Sequence, residues 1–131
     1  MKSLLGTIRR ADVIFHADGH IDITAKVVRI LGLFPGDSID IMDSDGEYYL
    51  YVAHRGADKT GGSYEAVCYK SNKLRGGRHL RAQSRRLCNA VLEICGHDKR
   101  AALPVGYAIE QDGRVFVPLI TRLNLNKQQL C

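Results

Sequence analysis

The stretch GHIDITAKVVRILGLFPGDSIDI, residues Gly19 to Ile41, decides the fold of this 131-residue chain. Ile21 and Ile23 alternate with polar residues, which is the period of a half-buried strand. Helical spacing of apolar residues begins after Thr24, a residue type that caps helix N-termini, and Gly32 is placed to end the helix. The stretch therefore predicts a strand, a short helix, a turn and a second strand.

Glycine-containing pairs predict the turns. Pro35-Gly36 fits a type II turn, because proline pre-sets the first central φ and glycine supplies the positive second one. Asp18-Gly19 predicts a two-residue hairpin with a type I′ turn, and further turns are predicted at Asp45-Gly46 and Asp112-Gly113. With the apolar, β-branched runs around them, these turns predict a mainly β protein with two short helices.

The second helix is predicted from about Ala82 or Ser84 to Cys95, where Gly96 ends it. Apolar and small residues recur along this segment at helical spacing. They predict an inner stripe formed by Leu80, Ser84, Leu87, Val91, Ile94 and Cys95.

The first half of the chain resembles the AbrB/MazE (SpoVT-AbrB) family of swapped-hairpin DNA-binding domains. The resemblance covers about residues 11–55 and rests on Gly19-His20-Ile21-Asp22-Ile23, on Val27 to Leu31 with Gly32-Leu33, and on Gly36-Asp37-Ser38-Ile39-Asp40-Ile41. Thr24 stands where the family usually has proline, and His20 stands where arginine is usual. The resemblance implies a small barrel in which two half-barrels interleave their hairpins. It also implies DNA contacts by basic residues, of which Lys26 and Arg29 fall within the matched motif.

The second half repeats this pattern in degenerate form. His20 corresponds to His79 at an offset of 59, Gly32 to Gly96 at 64, and Asp45-Gly46 to Asp112-Gly113 at 67. We therefore expect one domain over residues 1–131, with halves 11–55 and 64–122 joined by the polar, glycine-rich linker 56–63. Such a tandem chain supplies both half-barrels itself, which favours an intrachain pseudo-dimer over a homodimer.

Composition narrows the classes of function. A formal net charge of +5 and a pI near 9.2 favour an anionic partner without requiring one. No apolar run is long enough for a signal peptide or a membrane span, so a cytoplasmic location and no membrane partner are expected. The four cysteines are interpreted as small apolar residues, since no CxxC or Cys/His pair has zinc-ligand spacing. Of the five scattered histidines, His20 and His79 are repeat-equivalent, and a metal site shared by them is the alternative to two neutral histidines beside polar loops. The second interpretation is preferred, because no carboxylate or thiol accompanies both histidines at ligand spacing. Neither a metal nor a cofactor is expected.

The strongest candidate site is a run without acidic residues, from Ala66 to Leu92. Arginine guanidinium groups match phosphate geometry bidentately, and Gly76-Gly77 allows a backbone to approach a phosphate closely. We expect nucleic acid, DNA in preference to RNA, to contact the basic residues Lys70, Lys73, Arg75, Arg78, Arg81, Arg85 and Arg86. The alternative interpretation is a solvated face whose cations pair with acids elsewhere, such as Asp43, Asp45, Glu110 or Asp112.

No catalytic signature such as GxSxG, a P-loop or HExxH occurs, and no enzymatic activity is expected. The prediction is a DNA-binding protein, either a transcriptional regulator or an antitoxin-like repressor. The alternative is a protein-interaction or structural barrel without a nucleic-acid role. Acids paired with Arg81, Arg85 and Arg86 would favour that alternative.

Overall fold

The computed structural model describes residues 11–58, 64–71 and 78–121. Strands dominate these residues, which confirms the mainly β prediction with two helices. In chain order the elements are β1 (Val13–His16), β2 (His20–Ile23), α1 (Ala25–Leu31), β3 (Ser38–Ser44), β4 (Glu47–His54), a single 3₁₀ turn (Gly56–Asp58), β5 (Tyr69–Lys70), β6 (Leu80–Gln83), α2 (Arg85–Cys95), β7 (Arg100–Leu103), β8 (Ile109–Gln111) and β9 (Arg114–Leu119).

The strands form two antiparallel sheets, ordered β5-β6-β2-β1-β7 and β3-β4-β9-β8. The predicted alternation of β1 and β2 is confirmed, because Val13, Phe15, Ile21 and Ile23 are all fully buried. The outward-facing positions of these strands carry His16, His20 and Asp22 together with one apolar residue, Ile14. Within the described residues the two sheets do not close into one barrel.

Both helices end as predicted, at glycines in the left-handed conformation. Gly32 has φ 65° after α1, and Gly96 has φ 72° after α2. In each case the glycine N–H donates to carbonyls of the last helical turn, which otherwise lack a partner. Glycine also adopts the positive φ of this position without the steric clash of a Cβ atom.

The two helix N-termini differ. Ser84 caps α2, since its Oγ accepts the N–H of Leu87 at 3.1 Å. Thr24 occupies the equivalent position of α1 but makes no capping hydrogen bond. Its hydroxyl donates instead to the Asp12 carbonyl oxygen at 2.9 Å, so a tertiary contact replaces the predicted cap.

The predicted inner stripe of α2 is confirmed in large part, because Leu80, Ser84 and Val91 are buried and Leu87 and Cys95 pack against the core. The buried residues of the helix are Cys88, Val91 and Leu92, while Ile94 is 40% exposed. The prediction counted helical spacing from Leu80 and Ser84, but Leu80 belongs to β6 and Ser84 is the cap. The prediction is therefore wrong at Ile94, which is exposed, and it omitted Cys88 and Leu92, which are buried.

The Asp-Gly turns are of two kinds. Asp45-Gly46 and Asp112-Gly113 both have positive φ at both residues, as two-residue type I′ hairpins require. The same prediction for Asp18-Gly19 is wrong, because β1 ends at His16 and β2 begins at His20. The connection is a three-residue loop in which Gly19 alone has positive φ, at 103°, and its N–H donates to the His16 carbonyl.

The Pro35-Gly36 turn forms as predicted and is held by one carboxylate. Gly36 has φ 100°, and the Asp37 N–H donates to the Phe34 carbonyl at 3.0 Å. The buried Asp37 carboxylate accepts the N–H groups of Phe34 and Gly56, and it accepts Arg55 Nη1 at 2.8 Å. The same guanidinium donates to the carbonyls that end α1, so this network fixes the helix end, the turn and the end of β4 together.

Residues at equivalent positions of the two halves meet in both sheets. Asp22 of β2 lies opposite Arg81 of β6, and Leu50 of β4 lies opposite Val117 of β9. These separations, 59 and 67 residues, are the offsets of the sequence repeat.

The segment after each helix also pairs with the opposite half of the chain. Ser38 bridges to Val67, and β7 pairs along β1. Each half therefore completes the sheet of the other.

Candidate nucleic-acid interface

A groove of about 560 Å³ opens where the end of α1 and the following turn meet the residues flanking β5 and β6. We call it the Arg29 groove. It is lined by Val28, Arg29, Gly32, Leu33, Phe34, Pro35, Lys70, Arg78, His79 and Leu80. None of these lining residues is acidic.

Three of the predicted phosphate-binding residues, Arg29, Lys70 and Arg78, line this groove. All three are exposed. Among the described residues, none of them has a carboxylate within ion-pair distance. Three uncompensated cations on one concave surface sum to a positive potential that attracts a polyanion.

The groove also contains an exposed aromatic ring. Phe34 is 68% exposed, whereas Leu33 and Leu80 beneath it are buried. The backbone that carries this ring is fixed, because the Phe34 N–H donates to the Asp37 carboxylate at 2.9 Å. An exposed ring beside cations is the arrangement on which nucleic-acid bases stack.

Arg81 and Arg86 differ from the expected uncompensated run, because both have carboxylate partners. Arg81 Nε donates to Asp22 Oδ1 at 2.7 Å, and the Arg81 side chain is 18% exposed. Arg86 donates to Glu65 Oε1 through Nε at 3.0 Å and through Nη2 at 2.7 Å. The partner acids are not those anticipated, since Glu65 comes one residue before the acid-free run and Asp22 belongs to the other half.

The carboxyl groups of these pairs are held in their charged form. The hydrogen bonds from Arg86 hold the pKa of Glu65 below its ordinary value. Burial disfavours ionisation of Asp22, but the hydrogen bonds led by that from Arg81 outweigh it and lower the pKa of Asp22. Both acids therefore neutralise their arginines at neutral pH.

The remaining predicted residues do not line the groove. Lys26 lies on α1 with its Nζ 3.6 Å from Asp12 Oδ2, so its charge is partly compensated. Arg85 is exposed at the start of α2. Lys73 and Arg75 lie outside the described residues.

Sequence reasoning missed Phe34 and His79 as groove residues. Their proximity depends on how the turn after α1 packs against β6, which no local pattern encodes. The available signal was an aromatic residue at the first position of a Pro-Gly turn, a place where side chains are exposed. His79 Nδ1 is buried and has no hydrogen-bond partner among the described residues.

A second cleft, of about 570 Å³, lies between β3, β4 and the start of α2. Its lining includes Asp40, Glu65 and Arg86, so charges of both signs face it. This mixture makes the second cleft a poorer match for a polyanion than the Arg29 groove.

Comparison with known proteins gave no matching family model, no matching curated protein and no matching solved structure. In the described part of the chain, neither helix has the length and apolar character needed to span a membrane.

Proposed function

We propose that this protein binds nucleic acid through the Arg29 groove, as a DNA-binding transcriptional regulator or antitoxin-like repressor. The observation that carries the proposal is a groove that, among the described residues, has no acidic lining, three cations without a carboxylate partner and an exposed phenyl ring. The net charge of +5 supports the same class of partner.

Each groove residue has a defined chemical role in the proposal. Arg29 and Arg78 bind phosphate oxygens through their planar guanidinium groups, and Lys70 contributes a point charge. Phe34 packs against a base or sugar. Arg29 also lies in the last turn of α1, where the helix dipole favours a cation. The position of this charge is therefore electrostatically favourable for the helix.

The proposed binding face combines both halves of the chain. Arg29 comes from the first half, while Lys70 and Arg78 come from the second. This differs from the sequence-based expectation, in which the basic run of the second half, from Lys70 to Arg86, dominates the face.

We also propose that the fold is a swapped-hairpin arrangement built from a tandem pseudo-repeat. Support comes from the pairing of repeat-equivalent residues, Asp22 with Arg81 and Leu50 with Val117. The AbrB/MazE resemblance of residues 11–55 is the reason for preferring DNA to RNA.

The test is fluorescence anisotropy on random duplex DNA and on single-stranded RNA across a range of salt concentrations. The variant is the triple substitution Arg29→Ala, Lys70→Ala and Arg78→Ala. The control is the triple substitution Lys99→Ala, Arg100→Ala and Arg114→Ala, which removes the same charge from exposed residues outside the groove.

The proposal predicts that log K for duplex DNA falls by about 0.9 per phosphate contact per log unit of salt. Losing three contacts flattens that slope by about 2.7 in the groove variant, while the control keeps a slope close to that of the wild type. Equal slopes in the two triple variants would mean that the groove residues contribute only through the net charge of the protein, and this result would contradict a specific binding site in the groove. Absence of binding at low salt by the folded protein would overturn the proposal.

The second candidate function is a protein-interaction module. It is favoured by the pairing of Arg81 with Asp22 and of Arg86 with Glu65, which neutralises much of the α2 side. Near the edge strand β8, Tyr107 is 96% exposed and Ile109 is 46% exposed, so apolar surface is available there. A folded protein that binds no nucleic acid at low salt would favour this candidate.

A further inference from the structure

The outward face of the β1–β2 hairpin brings together two imidazoles and a carboxylate. His16 Nε2 lies 3.0 Å from Asp22 Oδ2, and His20 Nε2 lies 3.8 Å from the same oxygen. One ligand atom from each of the three residues falls within 4.8 Å of the other two. The alternation of the strands explains this, because Phe15, Ile21 and Ile23 occupy the inward positions.

We propose that His16, His20 and Asp22 form a binding site for a divalent transition-metal ion, with zinc as the preferred ion. Imidazole nitrogen and carboxylate oxygen are zinc ligands, and a tetrahedral ion places its ligand atoms about 3.3 Å apart. The observed separations from Asp22 Oδ2, 3.0 and 3.8 Å, lie on either side of that value. A water molecule completes the coordination, since the protein supplies three ligands.

Neighbouring groups orient two of the three ligands. Asp18 Oδ1 lies 2.6 Å from His20 Nδ1, so this carboxylate accepts the Nδ1 proton and leaves the Nε2 lone pair facing the cluster. A carboxylate on the second nitrogen of a histidine is the usual support of a zinc ligand. Arg81 Nε holds Asp22 Oδ1, which leaves Oδ2 facing the two imidazoles.

Carboxylates lie beside both imidazoles of the cluster. Asp18 contacts His20 and Asp22 contacts His16, while the nearby cations are Arg81, which pairs with Asp22, and Arg100, which lies opposite His16 in the sheet. The side chains of the three ligands His16, His20 and Asp22 are only 22%, 24% and 15% exposed, whereas that of Asp18 is 67% exposed. An ion can reach the site from solvent and still be held by incompletely hydrated ligands.

Binding requires one rearrangement. The two imidazole rings are stacked, with centroids 3.8 Å apart and an angle of 17° between their planes. Both rings must rotate out of this stack for their Nε2 lone pairs to meet at one ion. Direct coordination by Nε2 gives the test a spectroscopic signature that mere charge attraction does not produce.

The experiment titrates zinc into the full-length, tag-free chain near neutral pH, in competition with a chromophoric chelator. We expect one zinc ion per chain. His16→Gln and His20→Gln each weaken zinc binding by tenfold or more, and Asp18→Asn weakens it by about 10–100-fold through the lost support of His20. The control His97→Gln, an exposed histidine just after α2, leaves zinc binding unchanged.

A second measurement uses the wild-type chain, so it does not depend on whether a variant folds. In ¹⁵N-resolved histidine spectra, zinc should shift the Nε2 resonances of two histidines while both of them keep a protonated Nδ1. Circular dichroism checks the fold of each variant.

Three results would overturn the proposal. These are no zinc uptake by the wild type, the same loss of binding in His97→Gln, and half a zinc ion per chain with dimer formation. The site is separate from the Arg29 groove, so the triple groove variant must retain zinc binding whatever its affinity for nucleic acid.

Discussion

Asp37 connects three pieces of backbone through one buried carboxylate. It accepts N–H groups from Phe34 and Gly56 and a guanidinium N–H from Arg55. Burial disfavours its ionisation, but these donors outweigh burial and hold the pKa of Asp37 below its ordinary value. The ionised carboxylate therefore stabilises the turn that presents Phe34 to the Arg29 groove.

We expect Asp37→Asn to lower the free energy of unfolding by about 2–3 kcal/mol at neutral pH, because an amide cannot accept all three donors. The pKa of Asp37 is lower in the folded state than in the unfolded state. Its contribution is therefore complete above the unfolded pKa and is lost as the pH falls through the folded pKa. The stability difference between wild type and variant should narrow below about pH 4.

Urea unfolding at neutral and acidic pH measures this difference. Asp98→Asn is the control, since Asp98 is exposed and its substitution should change stability by no more than about 0.5 kcal/mol. A difference between wild type and Asp37→Asn that stays constant from neutral to acidic pH would contradict the assigned role.

The cysteines that the structure describes agree with their interpretation as small apolar residues. Cys68 and Cys88 are buried, and burial raises the pKa of the Cys88 thiol to about 11. A thiol with that pKa is almost wholly protonated at neutral pH and is a weak nucleophile.

At the scale of elements, the β1–β2 loop and α2 meet at Gly19. A Cβ placed there would lie 2.7 Å from Gln83 Nε2, 2.8 Å from Arg85 Cγ and 3.3 Å from the Arg85 backbone nitrogen. The Gly19 carbonyl also accepts the Ser84 N–H at 2.8 Å. The loop is thus packed directly on the N-terminus of the helix.

We expect Gly19→Ala to destabilise the protein by roughly 2–4 kcal/mol, through positive φ and through contact with backbone that cannot move alone. Gly113→Ala is the matched control, because its φ is also positive, at 77°, but no atom lies within 4 Å of the added Cβ. That control should cost only about 1–2 kcal/mol. Equal losses in thermal unfolding would mean that the packing against α2 contributes nothing.

Features encoded by adjacent residues were predictable from the sequence. The left-handed glycines Gly32 and Gly96 end both helices, and Asp45-Gly46 turns the β3–β4 hairpin, because each depends on one or two residues. The length of the first loop was not predictable from Asp18-Gly19, since the same pair serves both two-residue and three-residue hairpins.

The proposed metal-binding cluster could not be predicted from the sequence for a related reason. His16, His20 and Asp22 share one face only when the loop has three residues, which sets Ile14 opposite Asp22. The sequence repeat pointed instead to His20 with His79. These do not meet, because His20 lies opposite Gln83 while His79 precedes Leu80, the partner of Ile23.

Ion pairs between the two halves of the chain could not be predicted from local sequence patterns. Arg81 meets Asp22 because β6 adds to β2, a pairing between residues 59 positions apart. The sequence showed that the basic run lacked nearby acids, but spatial neighbours decide which of its cations remain uncompensated.

On the scale of the whole molecule, the tandem arrangement predicts a monomer. Each half completes the sheet of the other within one chain, so no second copy is needed to bury Leu50 and Val117. Sedimentation should give a species of 14.6 kDa, with a thermal midpoint that does not depend on protein concentration. A midpoint that rises with concentration would show that folding is coupled to association.

The Asp22–Arg81 pair has a consequence for how such a chain can descend from a symmetric ancestor. In an exact homodimer, a residue on the twofold axis faces its own copy. First halves paired with each other would place aspartate against aspartate, and second halves would place arginine against arginine, both of which are unfavourable. Opposite charges can occur at this position only when the two halves differ in sequence. The ion pair therefore makes pairing between two identical halves less stable than pairing between the two different halves.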